Sequence, residues 1–197
     1  MIILDVEASG TENAIHSIVS IGALDLALPE RRFYVECRLW EGAEIMEGAL
    51  HVNGFTKAQI TDATKITEAE AVQQFLEWSQ HSADRTLAGQ NVSFDRDFIR
   101  AAARRAHLQC DLANRTIDTH TLAYMHMITH GLIPPLDVQH CHSALNLDAI
   151  LNYCGLLNEP RPHNALTGAL CHAEVIYRLL YGQKLLPEFF VYDIPWS

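Results

Sequence analysis

The stretch Ile2-Ile-Leu-Asp-Val-Glu7 carries two carboxylates, Asp5 and Glu7, inside an apolar, β-prone run. Side chains on a strand alternate with period two, so both carboxylates fall on one face. Two like charges in a run that is otherwise buried are costly unless a cation neutralises them. A divalent-cation site is therefore one reading, and a pair at the solvated end of the strand is the other. Asp95, in GQNVSFD, follows a short expected strand and lies just inside the first turn of the next helix. That is the end of an α/β sheet where ligands bind, although the helix dipole alone also favours an aspartate there. His163, beside Pro162 at the opening of the last helix, is a candidate for proton transfer and equally a packing or surface residue. Gly168 interrupts that helix at a cost of about 1 kcal/mol relative to alanine.

These residues need elements to hold them. A second strand is expected over 17–26 and a third over Phe33–Leu39, where Phe33, Val35, Cys37 and Leu39 alternate with more polar neighbours. Short connections make the three an antiparallel meander. Thr67-Glu-Ala-Glu70 is a capping box leading into an amphipathic helix with Val72, Phe75, Leu76 and Trp78. A short strand over 86–89 then leads to a helix that Ser93 can cap, with Phe94, Phe98, Ile99 and Ala102 inward. Another strand over 116–118 precedes a helix over 119–129. The Pro134-Pro135 loop over 131–143 breaks the pattern, and Asn146 caps a helix that Gly155 ends. Strands followed by alternating helices and strands predict an α/β domain with a mixed sheet.

Composition limits what such a domain can do. At 197 residues with 49% hydrophobic and 19% charged residues, the chain reads as one soluble globular domain. No apolar run reaches transmembrane length, and MIILDVEASG lacks the basic start and cleavage site of a signal peptide. The expectation is a cytoplasmic protein that does not engage a membrane. Five cysteines without a CxxC spacing fit a reducing compartment and small buried hydrophobes. The net charge of −10 argues against coating a duplex through many Lys and Arg contacts to phosphate. A carboxylate cluster that first takes up cations can still receive phosphate, because the cations reverse the local sign.

The order DVEASG, then GQNVSFDRDFI, then RPHNALTGALCHAEV resembles the three motifs of the DEDD 3′→5′ exonucleases of histidine type, relatives of the proofreading subunit of bacterial DNA polymerase III. SIVSIGALDL, HVNGFTKAQI, TIDTHTLA and LNLDAILNYCGL are similar to the intervening segments. The resemblance covers roughly residues 1–182, taken as the exonuclease domain, and leaves 183–197 as an apolar tail. It implies a ribonuclease H-like fold and a two-metal hydrolysis using Mg²⁺ or Mn²⁺, with the ions about 3.5–4 Å apart. By resemblance Asp5 bridges the two metals and Glu7 holds the one on the water side. Asp95 supports the leaving-group side largely through water, and His163 is the general base. The resemblance further places Ala8, Ser9 and Gly10 along the terminal nucleotide of a single-stranded DNA or RNA 3′ end, with His51 and Phe55 stacking on a base.

One position departs from the pattern. The family carries a fourth carboxylate five residues after the histidine, where this chain has Gly168. Thr167 is a poor ligand, and Glu174 lies about 600° of helical rotation and ~9 Å of rise further on, so no neighbour on the helix is expected to replace it. The glycine then marks an engineered substrate trap, a homologue that lost activity, or an active enzyme with water in place of the carboxylate. Two function classes follow: a metal-dependent exonuclease, and a non-catalytic module that keeps the fold to bind a nucleic-acid end or a protein.

Other features have plainer readings. His126 and His130 at i, i+4, and His140-Cys141-His142 in the loop, raise a second metal site, but surface or packing roles are the expectation. Arg96, Arg100, Arg104 and Arg105 form a basic helix face expected to be solvated rather than bound to nucleic acid. The tail LLPEFFVYDIPWS either packs back on the domain or docks on a partner, and a homodimer is the expected assembly.

Overall fold

A computed structural model describes residues 1–196. Its centre is a five-stranded sheet in the order β3-β2-β1-β4-β5. β1 (Ile2–Ala8), β2 (Ile18–Asp25) and β3 (Leu28–Glu36) form the antiparallel meander, and β4 (Leu87–Gly89) and β5 (Thr116–Asp118) add in parallel beside β1. Between β3 and β4 come α1 (Glu47–Asn53), α2 (Lys57–Ile60) and α3 (Glu68–Ser79). α4 (Val92–Arg105) joins β4 to β5, and α5 (Thr119–Thr129) follows β5. The Pro134-Pro135 loop contains a small hairpin, β6 (Leu136–Asp137) and β7 (His142–Ser143), ahead of α6 (Leu147–Tyr153) and α7 (Ala165–Tyr181).

The period of β1 sorts the two faces of the sheet. Ile2, Leu4, Val6 and Ala8 pack with Phe75 of α3 and Phe98 and Ile99 of α4. Ile3 packs with Ala169, Ala173 and Ile176 of α7, so Asp5 and Glu7 face α7 as the alternation predicts. Asp5 pairs with Gly22 of β2, and cross-strand partners share a face. A β-carbon on Gly22 would stand 2.1 Å from the carbonyl carbon of Ala165, so this glycine lets the first turn of α7 lie directly on the sheet beside Asp5.

The expected third strand is displaced toward the N-terminus. Asp25 pairs with Leu28 across the two-residue turn Leu26-Ala27, so the ladder begins at once. Cys37 N–H still donates to Val19 O of β2, and the chain then peels off, with Arg38 N–H donating to Ile66 O and Leu39 N–H to Ile60 O. Ser93 is not the cap of α4. Asn91 holds the N-cap position in the left-handed region (φ 50°), and Ser93 sits inside the first turn. The capping box at Thr67 and Glu70 and the Asn146 cap form as expected.

The basic face of α4 is largely engaged within the protein. Arg105 forks onto buried Glu68 at 2.9 Å and stacks over Trp40, while Arg96 and Arg100 donate to Asn114. Cys37, Cys154 and Cys171 are buried as expected, but Cys110 is only partly buried and Cys141 is exposed. Among the described residues, no helix is long and apolar enough to cross a membrane. In the tail, Leu186 and Ile194 are buried, and Phe189, Tyr192 and Trp196 pack against the cluster of α5, α6 and α7; Ser197 lies outside the described residues.

Candidate active site

Three carboxylates predicted from the sequence meet at the C-terminal end of β1. β4 pairs with β1 only through Ile2 and Ile3, so the ladder stops short and Val6 N–H is left without a strand partner on that side. The first turn of α4 fills the gap, and Asp95 Oδ1 accepts from Val6 N–H at 2.8 Å. This bond fixes a buried aspartate against the strand that carries Asp5 and Glu7. The short strand thus makes room for the acid that follows it.

His163 enters from the opposite side. It precedes Asn164, the N-cap of α7, whose side chain accepts from the Leu166 and Thr167 N–H groups. His163 N–H donates to Val52 O at 3.1 Å, and Asn53 Nδ2 donates to Ala8 O at 3.1 Å. The end of α1 therefore ties the histidine segment to the end of β1. The Nε2 atom of His163 is buried with no hydrogen-bond partner, a bare nitrogen in a polar setting.

A fourth carboxylate is present that the sequence did not single out. Glu159, in the loop between α6 and α7, is buried, and its Oε2 lies 3.5 Å from His163 Nδ1. Its Oε1 lies 3.2 Å from the point where a β-carbon of residue 168 would stand, and Asp5 Oδ2 lies 2.4 Å from the same point. Nothing periodic marks Glu159, because it is in a loop. The one signal was the missing side chain at Gly168, beside which some other group has to lie.

The expected substrate-lining residues divide. Ser9 is fully buried, its hydroxyl donating to Glu44 O at 2.7 Å and accepting from Ser17 N–H at 3.0 Å, so its side chain is engaged inside the fold. Gly10 abuts the His16 ring, and Ala8 turns its side chain inward. His51 is exposed on the last turn of α1, and Phe55 is half-buried, with Lys65 Nζ 5.1 Å above its ring. The other histidines follow the plainer reading in part. His126 stacks on His130 and bonds Tyr153. Asp137, His140 and His142 bring ligand atoms within 4.8 Å on the exposed hairpin, but the Asp137 carboxylate already accepts from Gln139 N–H, His140 N–H and His140 Nδ1, as a turn requires.

Electrostatics at the carboxylate cluster run one way. Burial, then the charges of Asp95, Glu7 and Glu159, push Asp5 well above the usual carboxylate range. Burial and then Glu159 and Asp95 raise Glu7 to about 8. Burial raises Asp95 to about 7, and burial followed by Asp148 raises Glu159 to about 7. Burial and the Arg161 charge lower His163, favouring its neutral form. Among the described residues no Lys or Arg pairs with any of the four carboxylates. Crowded oxygens without a basic partner are the donor set of a hard divalent cation.

A stability prediction follows from these shifts. Folded-state values above the unfolded 3.8–4.5 mean that the stabilising contribution is complete below about pH 4. It is lost as pH rises through 7 to 8, where the folded cluster must ionise. Buried His172, lowered to about 4, acts oppositely, but its contribution is complete above its unfolded value of 6.5. In EDTA the melting temperature is therefore expected to fall between pH 6.5 and 8.5, and Mn²⁺ to raise it more at pH 8.5 than at 6.5. A metal-free melting temperature flat across that window would contradict the cluster described here.

A family model described as exonuclease (RNase_T) matches residues 2–176. Exonuclease I of E. coli in complex with a dT13 oligonucleotide is similar in structure, with a TM-score of 0.68 at 16% identity, over 90% of this chain and 40% of that one. The nuclease domain of 3′hExo, a DEDDh family member bound to rAMP, gives 0.69 at 17% identity, over 94% of this chain and 93% of that one. The chain spans about 40% of the length of exonuclease I. No curated protein sequence matches. The structural likenesses establish a shared ribonuclease H-like fold, and the family match extends over most of the sequence. On that match, the chain belongs to the exonuclease family.

Proposed function

We propose that this protein is a metal-dependent 3′→5′ exonuclease acting on single-stranded nucleic acid. The observation that carries the reading is the convergence of Asp5, Glu7 and Asp95, buried or half-buried and without basic partners, beside a histidine whose Nε2 is bare. Two divalent cations, Mg²⁺ or Mn²⁺, bound there supply the Lewis acidity that activates a water and stabilises the leaving 3′-oxygen. Asp5 and Glu7 hold the α7 side of the site and Asp95 the α4 side. His163, favoured neutral, presents Nε2 to take a proton, and the Glu159 carboxylate lies 3.5 Å from its Nδ1. His51 and Phe55, at the end of α1 beside the His163 segment, are placed to meet the terminal bases. That similar structures include exonuclease I with oligonucleotides and 3′hExo with rAMP supports a single-stranded substrate.

The test uses 5′-labelled single-stranded DNA and RNA oligonucleotides. A ladder shortening from the 3′ end in Mg²⁺ or Mn²⁺, absent in EDTA and reduced at least ~100-fold in His163→Ala, is the expected result, within the usual range for a general base. Intact strands with both metals, from protein that nonetheless binds Mn²⁺, would overturn catalysis and leave the non-catalytic module.

A further inference from the structure

Glu159 has a side chain only 6% exposed. Its backbone N–H donates to Asp148 Oδ1 at 3.1 Å, and the following Pro160 favours extended backbone at Glu159. Among the described residues its carboxylate accepts no hydrogen bond, and the one basic group within 4.0 Å is His163 Nδ1. A buried carboxylate without donors is unfavourable unless something further completes it. It is aimed at the space beside Gly168, where Asp5 Oδ2 also lies.

We propose that Glu159 supplies the fourth carboxylate of the metal centre, reaching in from the loop between α6 and α7 in place of a side chain on α7 at residue 168. This deepens the metal-dependent reading above and rests on it. Gly168 then has a positive reason. A β-carbon there would stand 2.4 Å from Asp5 Oδ2 and 2.9 Å from Asp5 Cγ, separations at which one group must move. The helix accepts glycine because Asp5 and Glu159 converge on the volume it leaves. A glutamate is one methylene longer than an aspartate, which suits a carboxylate reaching in from a loop to a position otherwise served from the helix itself. On this account the glycine marks a ligand moved along the chain rather than a ligand lost.

The experiment is Mn²⁺ titration of the full chain, read by calorimetry and by the free Mn²⁺ EPR signal, for the wild type, Glu159→Gln, Glu159→Asp and Gly168→Asp. The wild type is expected to bind two Mn²⁺. Glu159→Gln is expected to weaken at least one site by about tenfold or more, the scale that even outer partners of a metal site command. Glu159→Asp should fall between the two, and it answers the question if Glu159→Gln fails to fold. Gly168→Asp, which crowds Asp5, should bind Mn²⁺ no more tightly than the wild type. Unchanged affinity and stoichiometry in both Glu159 variants would overturn the proposal while the wild type still bound two ions. So would a tenfold gain in Gly168→Asp, which would identify residue 168 as the vacant ligand position. A wild type that binds no Mn²⁺ would instead defeat the metal-dependent reading, and this proposal with it.

Discussion

Asp5→Asn is expected to lower metal-dependent strand shortening by at least ~10³-fold while leaving the metal-free protein as stable as the wild type or more so. Asp5 lies among the other carboxylates of the cluster. Its Oδ2 fills the space beside Gly168, and the charges of Asp95, Glu7 and Glu159 all act on it. The proposed chemistry depends on cations held at that junction, and such cations contribute several kcal/mol to the barrier. At 1.36 kcal/mol per tenfold, a loss of about 4 kcal/mol is about a thousandfold. Asparagine keeps the shape, so packing against α7 is preserved. It removes one of four mutually repelling charges, so the fall in metal-free stability toward pH 8.5 should become shallower. The two readouts therefore move in opposite directions, which a simple folding defect cannot produce. Initial rates at saturating Mn²⁺, with melts in EDTA at pH 6.5 and 8.5, decide the matter. Activity within tenfold of the wild type would mean that Asp5 does not hold the reacting centre.

Much of this site was legible in local patterns, for reasons that also explain what was missed. Asp5 and Glu7 were readable because strand periodicity is a local rule, and the packing of Ile3 on α7 places them where that rule puts them. Asp95 was readable because strand end and helix start adjoin in the chain. The start of α4 was misread at Ser93 because the left-handed turn at Asn91 is a backbone choice that a serine nearby does not reveal. β3 begins before the expected 33–39 because the two-residue connection after Asp25 starts the ladder at Leu28, a pairing that the alternation of Phe33, Val35, Cys37 and Leu39 does not report. The arginines of α4 gave a basic helix face on the sequence alone, yet the partners of Arg96, Arg100 and Arg105, namely Asn114 and Glu68, come from other segments. Glu159 is the sharpest case. It becomes part of the site only when the loop after α6 folds against the first turns of α7, and no spacing in the sequence encodes that approach.

Arg178→Met is expected to give the largest loss of stability. Arg178 and Glu174 are both fully buried and paired at 2.7 Å. Glu174 Oε2 also accepts from Leu185 and Leu186 N–H at 3.0 and 2.9 Å. The guanidinium donates further to Cys154 O and Asp193 O through Nη1 and to Phe189 O and Tyr192 O through Nη2. All five of its N–H donors thus have partners, and those partners join α7 to the end of α6 and to the tail. Methionine fills the volume but leaves Glu174 charged, buried and short of a partner, a change that costs about 3–5 kcal/mol. At about 2–4 °C per kcal/mol for a chain of this size, the melting temperature should drop by roughly 10 °C. Lysine should not rescue it, since three donors on a point charge cannot reproduce a planar fork. Pairing Arg178→Met with Glu174→Leu should recover part of the loss, because the uncompensated charge leaves with its partner. Limited proteolysis should cut first within 183–196 in the single variant, where three carbonyl partners have lost their donor. A melting temperature within 2 °C of the wild type would show that the buried pair does not anchor the tail.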